Sequence, residues 1–124
     1  MRILTIAATA AVVCATAATA FAAPARLSDV QYIAANRCLG LMSSKALGTP
    51  DAATLAAYLR IQGNGREGFV WDRADQARDE GRSDAGHGGA ATIARLTAER
   101  DGLCHDFVAA AQVTADTARP AHSS

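Results

Sequence analysis

Residues 27–42, LSDVQYIAANRCLGLM, decide the fold class of this chain. Ser28 followed three residues later by Gln31 is a capping-box pattern. Leu27 and Tyr32 stand where a hydrophobic staple would clip the entry of the chain. From there Val30, Ile33, Ala34, Cys38, Leu41 and Met42 recur at the spacing of one helical face. The pattern predicts a helix running until Gly48 and Pro50 stop it, with the Cys38 thiol on its buried stripe.

Three further helices are expected downstream. Thr49 is placed to cap a second one, with Pro50 in its first turn and Asp51 near the positive end of its dipole. Leu55, Tyr58, Leu59 and Gln62 share one side of it, and Gly63-Asn64-Gly65 ends it. A third covers residues 66–82, with Val70, Trp71, Ala74 and Ala77 inward and Asp75, Arg78, Asp79 and Arg82 outward. Four glycines, Gly81, Gly86, Gly88 and Gly89, predict a mobile loop over residues 83–89. A fourth helix starts near Ala91 and carries Ile93, Leu96, Leu103, Cys104, Phe107 and Ala111 on its inner face. No strand alternation is present, so the expectation is an all-α, small four-helix bundle-like domain.

Composition limits what such a bundle can be. Of the 124 residues 50% are apolar, yet 31 of them are alanine and only 5% of the chain is aromatic. Twelve basic and twelve acidic side chains give a formal net charge of zero, which excludes a strongly basic nucleic-acid binder. There is room for one domain and no long internal repeat.

Residues 1–22 stand apart. Arg2 is their only charge, an apolar stretch follows over residues 3–13, and the segment closes on Ala20-Phe21-Ala22. These are the three regions of a secretory signal peptide, with cleavage expected after Ala22. An uncleaved anchor is the competing reading, but the segment is rich in alanine and threonine and no basic cluster follows it. The expected organisation is a signal peptide (1–22), a helical domain (23–113) and a disordered tail (114–124), exported to the periplasm or secreted, without a stable membrane anchor after cleavage.

Cysteine arithmetic follows from export. Cys14 leaves with the leader, so Cys38 and Cys104 remain in an oxidising compartment, and one intramolecular disulfide between the first and last helices is expected. The chain-entropy account makes such a bond worth roughly 4 kcal/mol, a large share of a small domain's stability. It would compensate for a thin core, since alanine buries little apolar area.

The candidate chemistries are mostly excluded residue by residue. Cys104-His105 resembles the end of a c-type haem motif, but Asp101 stands where the first cysteine should be. Non-covalent haem between Met42 and His105 is conceivable if tertiary structure unites them. His87, His105 and His122 are scattered without metal-ligand spacing, so no metal site is expected. Asp72, Asp75, Asp79, Glu80 and Asp84 follow helical spacing among arginines rather than the alternation of a calcium loop. Glu67 and Glu99 make a catalytic pair only if the fold brings them together. No catalytic residue and no cofactor is therefore assigned.

The largest apolar cluster is Phe69-Val70-Trp71. Three consecutive helical side chains span about 200 degrees, so at least one must face solvent, and Phe69 and Trp71 are the candidate partner-binding residues. In architecture the pattern is similar to small periplasmic acid-stress chaperones, which are helical and carry a single disulfide. The functional expectation is an exported non-catalytic protein that binds another protein or serves in envelope stress or structure. The alternative is a haem-, metal- or small-ligand-binding protein or enzyme.

Overall fold

The computed structural model describes residues 25–119. Residues 1–24, with the expected signal peptide and its expected cleavage point, and residues 120–124 lie outside the described residues. Within them the chain is all-α: α1 (Asp29–Met42), α2 (Asp51–Gln62), α3 (Gly68–His87), α4 (Ala90–Asp101) and α5 (Leu103–Ala118). The four expected helical units are all present, and the fourth is divided, because Gly102 serves both as the C-cap of α4 and the N-cap of α5.

The capping box of α1 forms as the sequence implies. The Gln31 N–H donates to Ser28 Oγ at 3.2 Å, and the Ser28 N–H donates to Gln31 Oε1 at 2.9 Å. Its C-terminus comes earlier than expected, at Met42. There the Ser43 and Ser44 hydroxyls donate to the carbonyls of Leu39 and Leu41, at 2.6 and 2.7 Å. Such local bonds compete with continued helical pairing. Val30, expected on the inner stripe, is 78% exposed, whereas Tyr32, Ala35 and Leu39 are buried.

One other expectation is corrected in the same region, while the run Gly63-Asn64-Gly65 ends α2 as expected. Thr49 does not cap α2: Pro50 is the N-cap, no side chain bonds the first N–H groups, and the buried Thr49 hydroxyl has no partner. At the other end the left-handed conformation falls at Gly65 (φ 75°), two residues past the α2 cap.

Of residues 83–89, expected as a mobile loop, 83–87 are helical, so α3 extends to His87 and only Gly88 and Gly89 lie between it and α4. Gly81 is a packing residue instead. A Cβ placed there would lie 2.4 Å from the Arg37 carbonyl oxygen, and one at Gly40 would lie 2.0 Å from the Arg78 carbonyl oxygen. Two helices with glycine at each other's crossing approach backbone to backbone, and α1 and α3 form the tightest pair in the fold. Arg78, expected outward, turns into this seam and donates to Asn36 Oδ1, while the fully buried Asn36 amide donates to the Tyr32 carbonyl at 2.9 Å.

A single core gathers Tyr32, Leu39, Leu41, Met42, Leu47, Leu55, Tyr58, Leu59, Val70, Leu96 and Phe107 with several alanines. Leu103, expected inward, is 54% exposed, because the break at Gly102 re-phases the helix that follows. α5 also continues to Ala118, five residues into the stretch read as tail. The Cys38–Cys104 disulfide joins α1 to α5 across 66 residues, with an S–S distance of 2.07 Å and both cysteines at most 1% exposed.

Candidate functional site

The beginning of α3 is held by a polar frame built from three neighbouring segments. Arg66 is its centre. Its guanidinium donates to the Gln62 carbonyl at 2.7 Å, the Leu27 carbonyl at 2.6 Å and Asp29 Oδ1 at 2.5 Å. It also lies 4.5 Å from the centroid of the Tyr32 ring, a cation–π geometry. The Leu27 N–H donates to Gln62 Oε1 at 2.9 Å, and Arg26 reaches the Asn64 carbonyl at 2.7 Å. The entry of α1, the end of α2 and the start of α3 are thereby fixed as one platform.

The three residues of the apolar cluster then take different roles on that platform. Val70 is fully buried. Trp71 is 38% exposed and sets its ring edge-on to Tyr32, 6.1 Å between centroids at 76°, against the backbone of Gly63. Phe69 is 68% exposed. Val30 and Ile61, chain neighbours of Asp29 and Gln62, are exposed at the same end. Gln62 was legible on the inner side of α2 and is buried, but Arg66 was not legible as a framework residue, since an arginine beside a glycine-rich turn reads as solvated.

Met42 and His105 do line one cleft, with Thr49, Asp51, Arg100, Asp101 and Val108. Its volume is about 240 Å³, below the range typical of pockets for drug-sized ligands, and Met42 is only 3% exposed. Cys104, bonded to Cys38, has no thiol free for a thioether. Within the cleft Arg100 donates to both oxygens of Asp101 and to the Leu47 carbonyl, and this arginine holds the Asp101 carboxyl below its ordinary pKa. Asp51 accepts from Gln112 at 3.2 Å.

A third cluster ties three helices together. Arg37 of α1 donates to Glu99 of α4 at 2.8 Å and to Asp84 of α3 at 2.9 Å. The bond to Glu99, with a smaller contribution from Asp84, raises the guanidinium pKa against the cost of its partial burial. Glu99 is thus engaged structurally, and Glu67 stands apart from it at the N-cap of α3. Among the described residues no group of three or more His, Cys, Asp or Glu side chains is placed to hold a metal ion, and no helix is long and apolar enough to cross a membrane.

Comparison with known protein families, curated proteins and solved structures found no match.

Proposed function

We propose that this chain is an exported, non-catalytic helical protein that binds another protein through the first turn of α3, in the periplasm or after secretion. The observation that carries the reading is Phe69, an aromatic ring 68% exposed on a turn whose next residue is fully buried. A large apolar side chain on a rigid support loses little conformational freedom on docking, which is the economy of an interface anchor. Trp71, two positions on, keeps 38% of its surface exposed. The apolar leader composition and the bonded cysteine pair support the export part.

The test separates anchor from core. Phe69→Ala is expected to leave the melting temperature within a degree or two of wild type, since little buried area is lost. Trp71→Ala is expected to lower it, because its ring covers Tyr32 and Gly63. A photo-crosslinking amino acid at position 69, in cells exporting the chain, should give a discrete protein adduct. An adduct-free result, or a Phe69→Ala protein that is unfolded, would defeat the reading. A role in envelope stress predicts suppression of client aggregation at acid pH.

A second reading, binding of a small ligand, is favoured by the cleft that Met42, Thr49, Arg100 and His105 share. Protein purified from its native compartment would then carry a ligand detectable by native mass spectrometry and lose it with His105→Ala.

A further inference from the structure

We infer that the outward face of α3 is an acidic docking strip for a cationic segment of a partner protein, with Phe69 as the apolar end of the strip. The inference rests on the reading of Phe69 as an anchor and adds the chemistry of what docks beside it.

The strip is a consequence of packing in the α1–α3 seam. At helical spacing Asp75, Arg78, Asp79 and Arg82 would neutralise one another. Arg78 leaves that set, because it turns toward α1 and donates to Asn36 Oδ1. Arg82 remains, 3.6 Å from Asp79. Among the described residues Asp72, Asp75 and Glu80 form no ion pair, whereas Asp29, Asp84, Glu99 and Asp101 each face an arginine. The chain is neutral as a whole. The outward side of α3 is not, for it carries Asp72, Asp75, Asp79 and Glu80 against Arg73 and Arg82, all of them exposed.

Helical geometry joins these carboxylates to Phe69. Val70, Ala74, Ala77, Gly81 and Ala85 form the buried stripe of α3. Phe69, Asp72, Gln76 and Asp79 follow one another at steps of three or four residues along the opposite side, with Arg73 and Arg82 at its margins. The helix packs on α1 and α4, so this side is left without a neighbouring helix among the described residues. From Phe69 to Glu80 the strip is about 16 Å long, at 1.5 Å per residue.

The occupant that complements it is a basic protein segment. One apolar side chain meets the Phe69 ring, and lysines or arginines further along meet the carboxylates. Opposite charges around an apolar anchor steer encounter and fix register more than they add affinity, while the ring supplies the buried contact. The same charges repel nucleic acid and anionic lipid surfaces.

The experiment uses the oxidised full chain and a short fluorescent peptide of repeated Leu-Lys-Lys-Leu units, beside a counterpart with glutamate in place of lysine. Fluorescence anisotropy should show binding of the lysine peptide, weakened by added salt, and none of the glutamate peptide. Asp72→Asn with Asp79→Asn is expected to weaken binding at least about threefold, as losing two exposed charge pairs does. Phe69→Ala should weaken it as well. Asp106→Asn with Asp116→Asn removes the same charge from exposed positions of α5 and should leave affinity within about twofold, because exposed charges outside the contact act weakly. Circular dichroism of each variant should match wild type, since every substituted side chain is exposed. Equal weakening by the α3 and α5 pairs, or no effect of the α3 pair where Phe69→Ala weakens binding, would overturn the inference and leave the Phe69 anchor standing. An unaffected Phe69→Ala protein would remove the anchor reading and the inference with it. Failure of the lysine peptide to bind would overturn the inference alone.

Discussion

Glycine and arginine are the residues whose surroundings matter most here. At Gly40 the α3 backbone occupies the place of a side chain, since an added Cβ would come 2.0 Å from the Arg78 carbonyl oxygen. The Gly40→Ala substitution would gain helix propensity on an isolated peptide, and in this seam it must push two backbones apart. Overpacking of this kind costs about 1–3 kcal/mol, so a lower urea midpoint is expected. A second residue-scale expectation concerns Tyr58, 4% exposed, whose phenol burial pushes above its ordinary pKa of 10.0. The folded state then holds a proton that the unfolded chain releases sooner. Its stabilising contribution is complete below the unfolded value and falls as the pH rises toward the higher folded value. A titration followed near 295 nm should show a late-ionising phenol that Tyr58→Phe removes.

At the scale of elements, boundaries follow local chemistry where it is strong. Ser28 and Gln31 set the start of α1 through bonds within four residues, so the box was legible before any fold was known. Ser28→Ala should cost about 1 kcal/mol, the usual effect of losing an N-cap, read from chemical denaturation. Where competing signals are weak, neighbours decide. The α3 helix passes through Gly81 and Gly86, and Gly81 lies against α1 where only a missing side chain fits. Likewise Thr49 had the right identity and place to cap α2, yet its hydroxyl is buried without a partner and the helix begins uncapped. The apolar spacing on either side of Gly102 is compatible with one continuous helix, so periodicity alone predicts a single fourth helix there. The chain breaks there, and Leu103 turns to solvent while Cys104 turns in.

For the whole molecule the disulfide is the long-range constraint that the composition calls for. Removing it by Cys38→Ser with Cys104→Ser should lower total stability by up to roughly 4 kcal/mol, the loop-closure value for this separation, measured by urea unfolding with far-UV circular dichroism. The Arg37 cluster makes a second connection among α1, α3 and α4, with partners a quarter to nearly a half exposed, so its contribution is screened and smaller.

The sequence by itself determined the all-α class, the capped start of α1 and the pairing of Cys38 with Cys104, because caps act over four residues and two cysteines placed on inward faces leave one intramolecular match. Only the tertiary structure decided which of Phe69, Val70 and Trp71 meets water, that Arg78 and Arg66 turn inward as framework, and that Gly40 and Gly81 are contact points. Periodicity tells which residues share a face but not which neighbour covers it. A glycine or an arginine is compatible with solvent, turn and seam alike until the second helix is in place.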